Sequence, residues 1–458
     1  MPRRPHPPLL DHLLQAVPRR YRLPVAPEAP PPKTPAAALA VAIDHARLAS
    51  ERAQEPEDAM RQLFIDALAQ LIREAMRADG GDPAYQATVL ARQAPQVHEY
   101  IALQTHAEGD RRAVRAGANA VAHPARRQHG EPGPQRDALA QLHAQATAGA
   151  WSPLADTAQR LLATAQPDQG SPLQRELARL LEGAALARLQ RAAVLEGDPQ
   201  VQAYLALRNR QGPRPGSAEA MAYGSTAQRR GAAMEARATQ ALEALARRLD
   251  AAEGSAGIYR VVTSMRAPST LPGSAERAKS EWDAVLLRQA PPRQDTPSAW
   301  DLCLLLEAKA SVDAATADFS RLQRGLRLLA SADEDAVYSF ATHQGEVLLH
   351  GTPLRAPATL GDSGLAGMVL YCTDAPAPAV PHLLSAASRM HLMGAPPSLA
   401  FATDLAHGRQ ADAQNLAPLW QLLLQSPQWA PVLHQYPTLR RVRELMVHVD
   451  DLSDAVMH

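Results

Sequence analysis

The stretch Glu281-Trp282-Asp283-Ala284-Val285-Leu286-Leu287, read with Leu302-Cys303-Leu304-Leu305-Leu306-Glu307-Ala308-Lys309, decides the fold expected for this chain. Both are short apolar runs carrying charge near an end. Leu302 to Leu306 is apolar at every position, the pattern of a strand covered on both faces and therefore central in an α/β sheet. Side chains alternate along a strand, so Glu307 and Lys309 share one face while Leu306 and Ala308 take the other. Between the runs, residues 289–298 contain Pro291, Pro292 and Pro297, which cannot continue a ladder, so this segment reads as a loop joining neighbouring strands. Adjacent strands would bring Asp283 beside Glu307. Two close carboxylates raise each other's pKa unless a cation neutralises them, and an oxygen-only ligand set favours Mg²⁺ or Mn²⁺ over zinc.

Helices are expected on either side of these strands. Ser225-Thr226-Ala227-Gln228 has capping-box spacing and is followed by an apolar stripe of Met234, Ala238, Leu242, Leu245 and Leu249, ending before Gly254; Glu235 sits beside the stripe. After Lys309, a helix from about Asp313 to Ala330 would bury Phe319, Leu322, Leu326 and Leu329. Gln323, Arg324 and Arg327 lie on its flank, within reach of a phosphate backbone. Strands are expected at 336–342 and 367–373, the first leading to a hairpin turn at Gln344-Gly345 with His343 and His350 exposed around it. The resulting order is helix, three strands, helix, strands.

Over residues 225–375, these motifs and this order resemble the PD-(D/E)XK nuclease superfamily, whose fold is also called restriction-endonuclease-like. The resemblance implies an α/β nuclease core with a mixed central sheet. Asp283 matches the motif aspartate and Glu307-Ala308-Lys309 the E-x-K element; Glu235 stands where a helix glutamate often adds a ligand, and Gln323 matches a helix glutamine near the active site. It implies further that Asp283, Glu307, the Ala308 carbonyl and Glu235 hold Mg²⁺, with Mn²⁺ able to substitute. Lys309 would position the attacking water and offset charge on the phosphoryl oxygens, giving a 5′-phosphate and a 3′-hydroxyl. Two departures stand out. Trp282 replaces the family's proline, and Arg327 stands where the tyrosine of the RecB-like Q-x-x-x-Y pattern would be.

Composition sets the remaining bounds. The 458 residues are enough for two or three domains, and 46% hydrophobic content is ordinary for a globular protein. With 47 basic and 47 acidic residues no global field draws the chain to nucleic acid, so binding must come from local basic patches. Aromatic content of 4% argues against an extended base-stacking platform and favours a duplex contacted through phosphates. Cys303 and Cys372 fall in expected strands and read as core residues; the 16 histidines show no zinc spacing. No apolar run approaches the ~18 residues needed to span a bilayer, and the basic N-terminus lacks a signal-peptide core, so a cytoplasmic protein is expected.

The expected organisation is a proline-rich flexible leader (1–34), an alanine-rich helical domain (35–210), the nuclease-like domain (218–375) and a mainly helical C-terminal extension (376–458). Apolar stripes at Met60, Phe64, Ala67, Leu68 and Leu71, and at Leu173, Leu177, Leu180 and Leu181, are expected to pack together as a bundle. Arg111, Arg112, Arg115, Arg126 and Arg127 form the most basic local stretch. The function expected is a metal-dependent DNA endonuclease in defence, inter-bacterial competition or DNA repair, with a homo-oligomer or partner protein engaged through the helical domains. The alternative is a catalytically silent nuclease-fold scaffold or nucleic-acid-binding protein.

Overall fold

A computed structural model of the chain describes residues 7–27, 34–123, 133–164, 172–213, 217–291, 298–359 and 362–457. The chain divides into two units, one comprising Met1–Ile72, Pro215–Phe401 and Asp412–His458, the other Arg73–Arg214 and Ala402–Ala411. The two stripes expected to form one bundle lie in different units. Phe64 packs on Trp420 in the first, whereas Leu177 and Leu180 join the core of the second.

The expected α/β core with an open, mixed central sheet is not what the strands build. Strands β1 (Tyr259–Arg266), β2 (Glu281–Gln289), β3 (Trp300–Ala308), β4 (Val337–Thr342), β5 (Gly345–His350), β6 (Val369–Thr373) and β7 (Met446–His448) run in the order β2-β1-β4-β5-β3-β6-β7, and β2 pairs with β3 as well. The first five therefore close into a small mixed barrel from which β6 and β7 extend, within a mostly helical protein. Closure depends on the β4–β5 hairpin, which touches β1 through Arg266↔Ala341 and β3 through Trp300↔Leu349. Both hairpin edges are thereby covered, which is how a barrel removes exposed strand edges. No periodicity within one strand reports a partner so distant in sequence.

A bulge sets which side chains face which core. The β2–β3 ladder pairs Ala284, Val285 and Leu286 with Leu306, Leu305 and Leu304, then shifts to pair Leu287 with Leu302, leaving Cys303 as the extra residue. Cys303 and Leu304 consequently join the same core, with Ala284, Leu286, Leu306 and the apolar face of the helix Ala218–Glu253. Leu302 and Leu305 join the other core, with Val285, Leu287, Trp282 and the buried face of the helix Val312–Ala330. β3 is thus covered on both sides, as its unbroken apolar run requires. Both cysteines are free and buried.

Several local expectations shift for identifiable reasons. The helix expected to start at Ser225 begins seven residues earlier at Ala218, because the Ser217 hydroxyl caps it by accepting from the Ala220 N–H at 3.0 Å. The Thr226 hydroxyl donates to the Ala222 carbonyl within the helix instead of capping it. Gly254 ends the helix in the left-handed conformation at φ +67°. The Val312–Ala330 helix is capped by Ser311. Within the expected leader, Pro8–Ala16 is helical and buries Leu10, Leu13 and Leu14 against the Ala218–Glu253 and Val449–Met457 helices. An i, i+3, i+4 leucine pattern outweighs the flanking prolines there. The Ala29–Pro32 run lies outside the described residues, as do Arg126, Arg127 and residues 292–297 of the loop at 289–298. His343 is exposed as expected, but His350 is buried with its Nδ1 2.9 Å from Asp301 Oδ1. Met446, expected in a helix, begins β7 and pairs with Tyr371. Among the described residues, no helix is long and apolar enough to cross a membrane.

Candidate active site

Continuing the β2–β3 register one step beyond Ala284↔Leu306 sets Asp283 opposite Glu307. Asp283 Oδ2 accepts the Ala308 N–H at 2.8 Å, so the aspartate is anchored to the backbone of the neighbouring strand. Lys309 closes the group: its Nζ lies 3.1 Å from Glu307 Oε2, 3.7 Å from Asp318 Oδ2 and 3.9 Å from Asp283 Oδ2. The Lys309 N–H donates to the Cys372 carbonyl at 2.9 Å, fixing the lysine where β3 leaves β6.

Three members of the cluster are not anticipated by the sequence. Lys279, only 5% exposed, places Nζ 2.7 Å from Glu307 Oε2. Asp318, from the Val312–Ala330 helix, accepts the Tyr371 hydroxyl at 3.2 Å in addition to facing Lys309. Tyr371 sits beside Glu307 in the parallel β3–β6 register, with its ring 6.0 Å from Lys309 Nζ. Asp318 is readable in principle, since it occurs at helical spacing between Ala315 and Leu322 on the buried stripe. Lys279 carries no such signal, because it lies in a loop before β2 and only tertiary packing turns it inward.

Glu307 is fully buried, and its Oε1 has no hydrogen-bond partner while Oε2 receives both ammonium groups. Burial, with repulsion from Asp283, pushes its carboxyl up to about 7 despite the two lysines. For Lys309, burial opposes the charge, but Glu307, Asp283 and Asp318 outweigh it and hold the ammonium above the ordinary lysine value. Tyr371 is shifted upward by burial and by Asp318. Glu235 is raised by burial and then by Asp283, which places it within electrostatic reach of the cluster.

The remaining expected residues sit apart from this chemistry. Arg324 Nε donates to the Arg277 carbonyl at 2.8 Å, Arg327 is exposed, and Gln323 is half-buried on the same helix. What that helix contributes to the cluster is Asp318, together with a close seat for Lys279 at Gly325. A Cβ at Gly325 would meet the Lys279 carbonyl oxygen at 2.7 Å and the Lys279 Cβ at 2.9 Å. We expect Gly325→Ala to destabilise the fold by about 1–3 kcal/mol from overpacking, more than the ~1 kcal/mol that alanine returns in helix propensity. Urea unfolding checks this, and unchanged or increased stability would mean that the seat is not tight.

The sequence implies a divalent cation, and the donors present bear on it in two ways. Among the described residues, no group of three or more His, Cys, Asp or Glu side chains is placed to hold a metal ion. Two adjacent carboxylates with one buried, unpartnered oxygen nevertheless suit Mg²⁺, which commonly takes one or two protein carboxylates and completes its shell with water and substrate phosphate. The donor chemistry therefore fits, with Glu307 Oε1 and Asp283 as the protein's contribution. Compared with known proteins, the chain matches no family model, no curated protein and no solved structure.

Proposed function

We propose that the protein is a metal-dependent phosphodiesterase that cuts DNA, with Asp283, Glu307 and Lys309 as its active site. The observation that carries this reading is a fully buried glutamate with one unpartnered oxygen, set across a strand pair from a second carboxylate and next to a lysine. Such an arrangement is costly in an apolar core unless a cationic ligand completes it. Asp283, Glu307 and the Ala308 carbonyl would hold Mg²⁺ or Mn²⁺, whereas Glu235 acts on the cluster electrostatically and is not placed as a third carboxylate ligand. When bound, the cation supplies Lewis-acid polarisation of the phosphodiester and of a water.

The chain's own residues account for the rest. Lys309 stays charged among three carboxylates, so it serves as a fixed positive donor toward a phosphoryl oxygen and not as a proton acceptor. Asp318 and Lys279 position the reacting groups, Asp318 by holding Lys309 and Lys279 by occupying Glu307 Oε2 so that Oε1 is the oxygen left available. Gln323, Arg324 and Arg327 are the residues we assign to the DNA backbone, with Arg327 the most exposed. Both thiols are free and buried, in keeping with the cytoplasm in which we place the reaction.

A second reading is favoured by the Lys279–Glu307 pair itself: a buried, nearly charge-balanced network that only holds strands and helix together. Purified protein incubated with plasmid, linear duplex, single-stranded DNA and RNA in Mg²⁺, Mn²⁺ or EDTA separates the two. Cleavage of DNA that EDTA abolishes supports the phosphodiesterase. Absence of cleavage on every substrate, with no cation binding, leaves the structural network.

Cation binding should also follow pH. Glu307 must lose its proton to act as a ligand, so with a carboxyl near 7 the apparent affinity for Mn²⁺ should fall by up to about tenfold per pH unit below that value and level off above it. Calorimetric titration checks this, and an affinity independent of pH between about 5.5 and 8 would remove Glu307 from the ligand set.

A further inference from the structure

The second unit holds a cavity of about 620 Å³, remote in sequence from the barrel strands, whose walls combine Arg111, Arg112 and Arg115 with Trp151, Leu189 and Ala192. The arginines come from the helix Ala107–Ala122 and flank its buried face, which carries Val114, Ala118 and Ala122. All three are exposed, and among the described residues neither Arg111 nor Arg112 has an ion-pair partner. Arg115 spends only its Nε, which donates to the Ala146 carbonyl at 3.3 Å. Helical spacing explains the convergence, since positions 111, 112 and 115 fall on one side of the helix.

The wall is held rigid. Asp110, buried one residue before Arg111, takes a two-pronged ion pair from Arg188 at 2.8 and 2.5 Å, locking this helix against Ala184–Leu195, which supplies Leu189 and Ala192. Gly149, left-handed at φ +74°, turns the chain toward Trp151, which lines the cavity from the edge of the core; a Cβ there would lie 3.4 Å from the indole. Glu108 and Glu196 also line the cavity, but Glu196 is engaged by the Tyr100 hydroxyl at 3.2 Å. Three guanidinium groups and two carboxylates therefore line the cavity, with Glu108 one turn before Arg111 and Arg112 on the same helix.

We propose that this cavity binds a nucleotide phosphate, either of a free nucleotide or within a single strand, with the arginines on the phosphate and Trp151, Leu189 and Ala192 against the sugar and base. Unpaired guanidiniums on one rigid helix recognise phosphate oxygens through paired N–H donors. The volume suits a body of nucleotide size, and the apolar lining gives the part of the ligand beyond the phosphate a surface to pack on. The site does not depend on the reaction proposed for the barrel.

The test uses the full chain in EDTA, so that hydrolysis is off, titrated with adenosine monophosphate, a short fluorescein-labelled single-stranded oligonucleotide and inorganic phosphate. The variants are the double substitution Arg111→Ala/Arg112→Ala and, as a control at an exposed arginine elsewhere in the unit, Arg175→Ala. Affinity for the nucleotide probes should fall at least about tenfold in the double variant and stay unchanged in the control. If the strand is the ligand, the slope of log affinity against log salt should also drop by about 0.7 for each phosphate that is no longer neutralised. A preference for the oligonucleotide assigns the site to strands, and equal affinities assign it to free nucleotides. Three results would overturn the proposal: no binding of either nucleotide probe, binding that survives the double substitution, or inorganic phosphate binding as tightly as the monophosphate.

Discussion

Glu307→Gln is expected to lower metal-dependent DNA cleavage by a factor on the order of 10² to 10³ or more while leaving the fold intact. The amide keeps the shape of the carboxylate, and its oxygen can still accept from Lys279 and Lys309, which donate to Glu307 Oε2 at 2.7 and 3.1 Å. What it loses is the negative charge at the buried, unpartnered oxygen. Glu307→Ala is the weaker experiment, because it strands the buried Lys279 ammonium and confounds impaired chemistry with impaired stability. Lys309→Ala should cost a similar factor through the missing donor, whereas Lys309→Arg, which retains charge but not the compact ammonium, should recover only part of it. Initial rates on plasmid DNA at matched circular dichroism decide the matter. A Glu307→Gln protein that cuts as well as the parent would show that the cluster is not the active site.

Lys279→Met is expected to destabilise the barrel unit by about 3 kcal/mol at pH 8 and by much less at pH 5. The pH dependence follows from Glu307. Its carboxyl titrates near 7 in the folded protein and at its ordinary value near 4.5 when unfolded. A folded-state pKa raised for an acid means that the native state holds the proton more tightly. The stability this contributes is fully present below the unfolded value, and it is lost as pH rises through about 7. At pH 8 the carboxylate is charged and needs both ammonium groups, so removing one is severe. At pH 5 it is neutral, the need disappears, and methionine occupies a site that no longer favours a cation. Urea unfolding at the two pH values measures the difference. Equal losses would mean that Glu307 is not the group Lys279 compensates.

Both experiments turn on how the site is assembled, and its parts differ in how far the chain announces them. Asp283 and the Glu307-Ala308-Lys309 element are legible because a charge at the end of an apolar strand is costly and therefore conspicuous. Their adjacency is legible too, since the proline-bearing segment at 289–298 can only be a connection. Asp318 is half-legible, at stripe spacing on its helix. Lys279 is not legible, because a loop lysine next to an alanine looks like any solvated residue until Gly325 allows the helix to close over it. The Cys303 bulge is equally silent; an all-apolar run has no alternation to break, so the extra residue leaves no mark.

By itself, the sequence determined the strands β2 and β3, the two long helices that cover them, the burial of both cysteines and the pairing of an acid with an E-x-K element. These follow from local periodicity and from the cost of burying charge, both of which are written in neighbouring residues. Only the tertiary structure decided that five strands close into a barrel instead of forming an open sheet, because closure depends on single pairings, Arg266↔Ala341 and Trp300↔Leu349, between segments about 75 and 49 residues apart. It also decided that one oxygen of Glu307 is left unpartnered and that three arginines and an indole line one cavity in the helical unit. Such features arise where distant segments meet, and no pattern along the chain encodes the meeting.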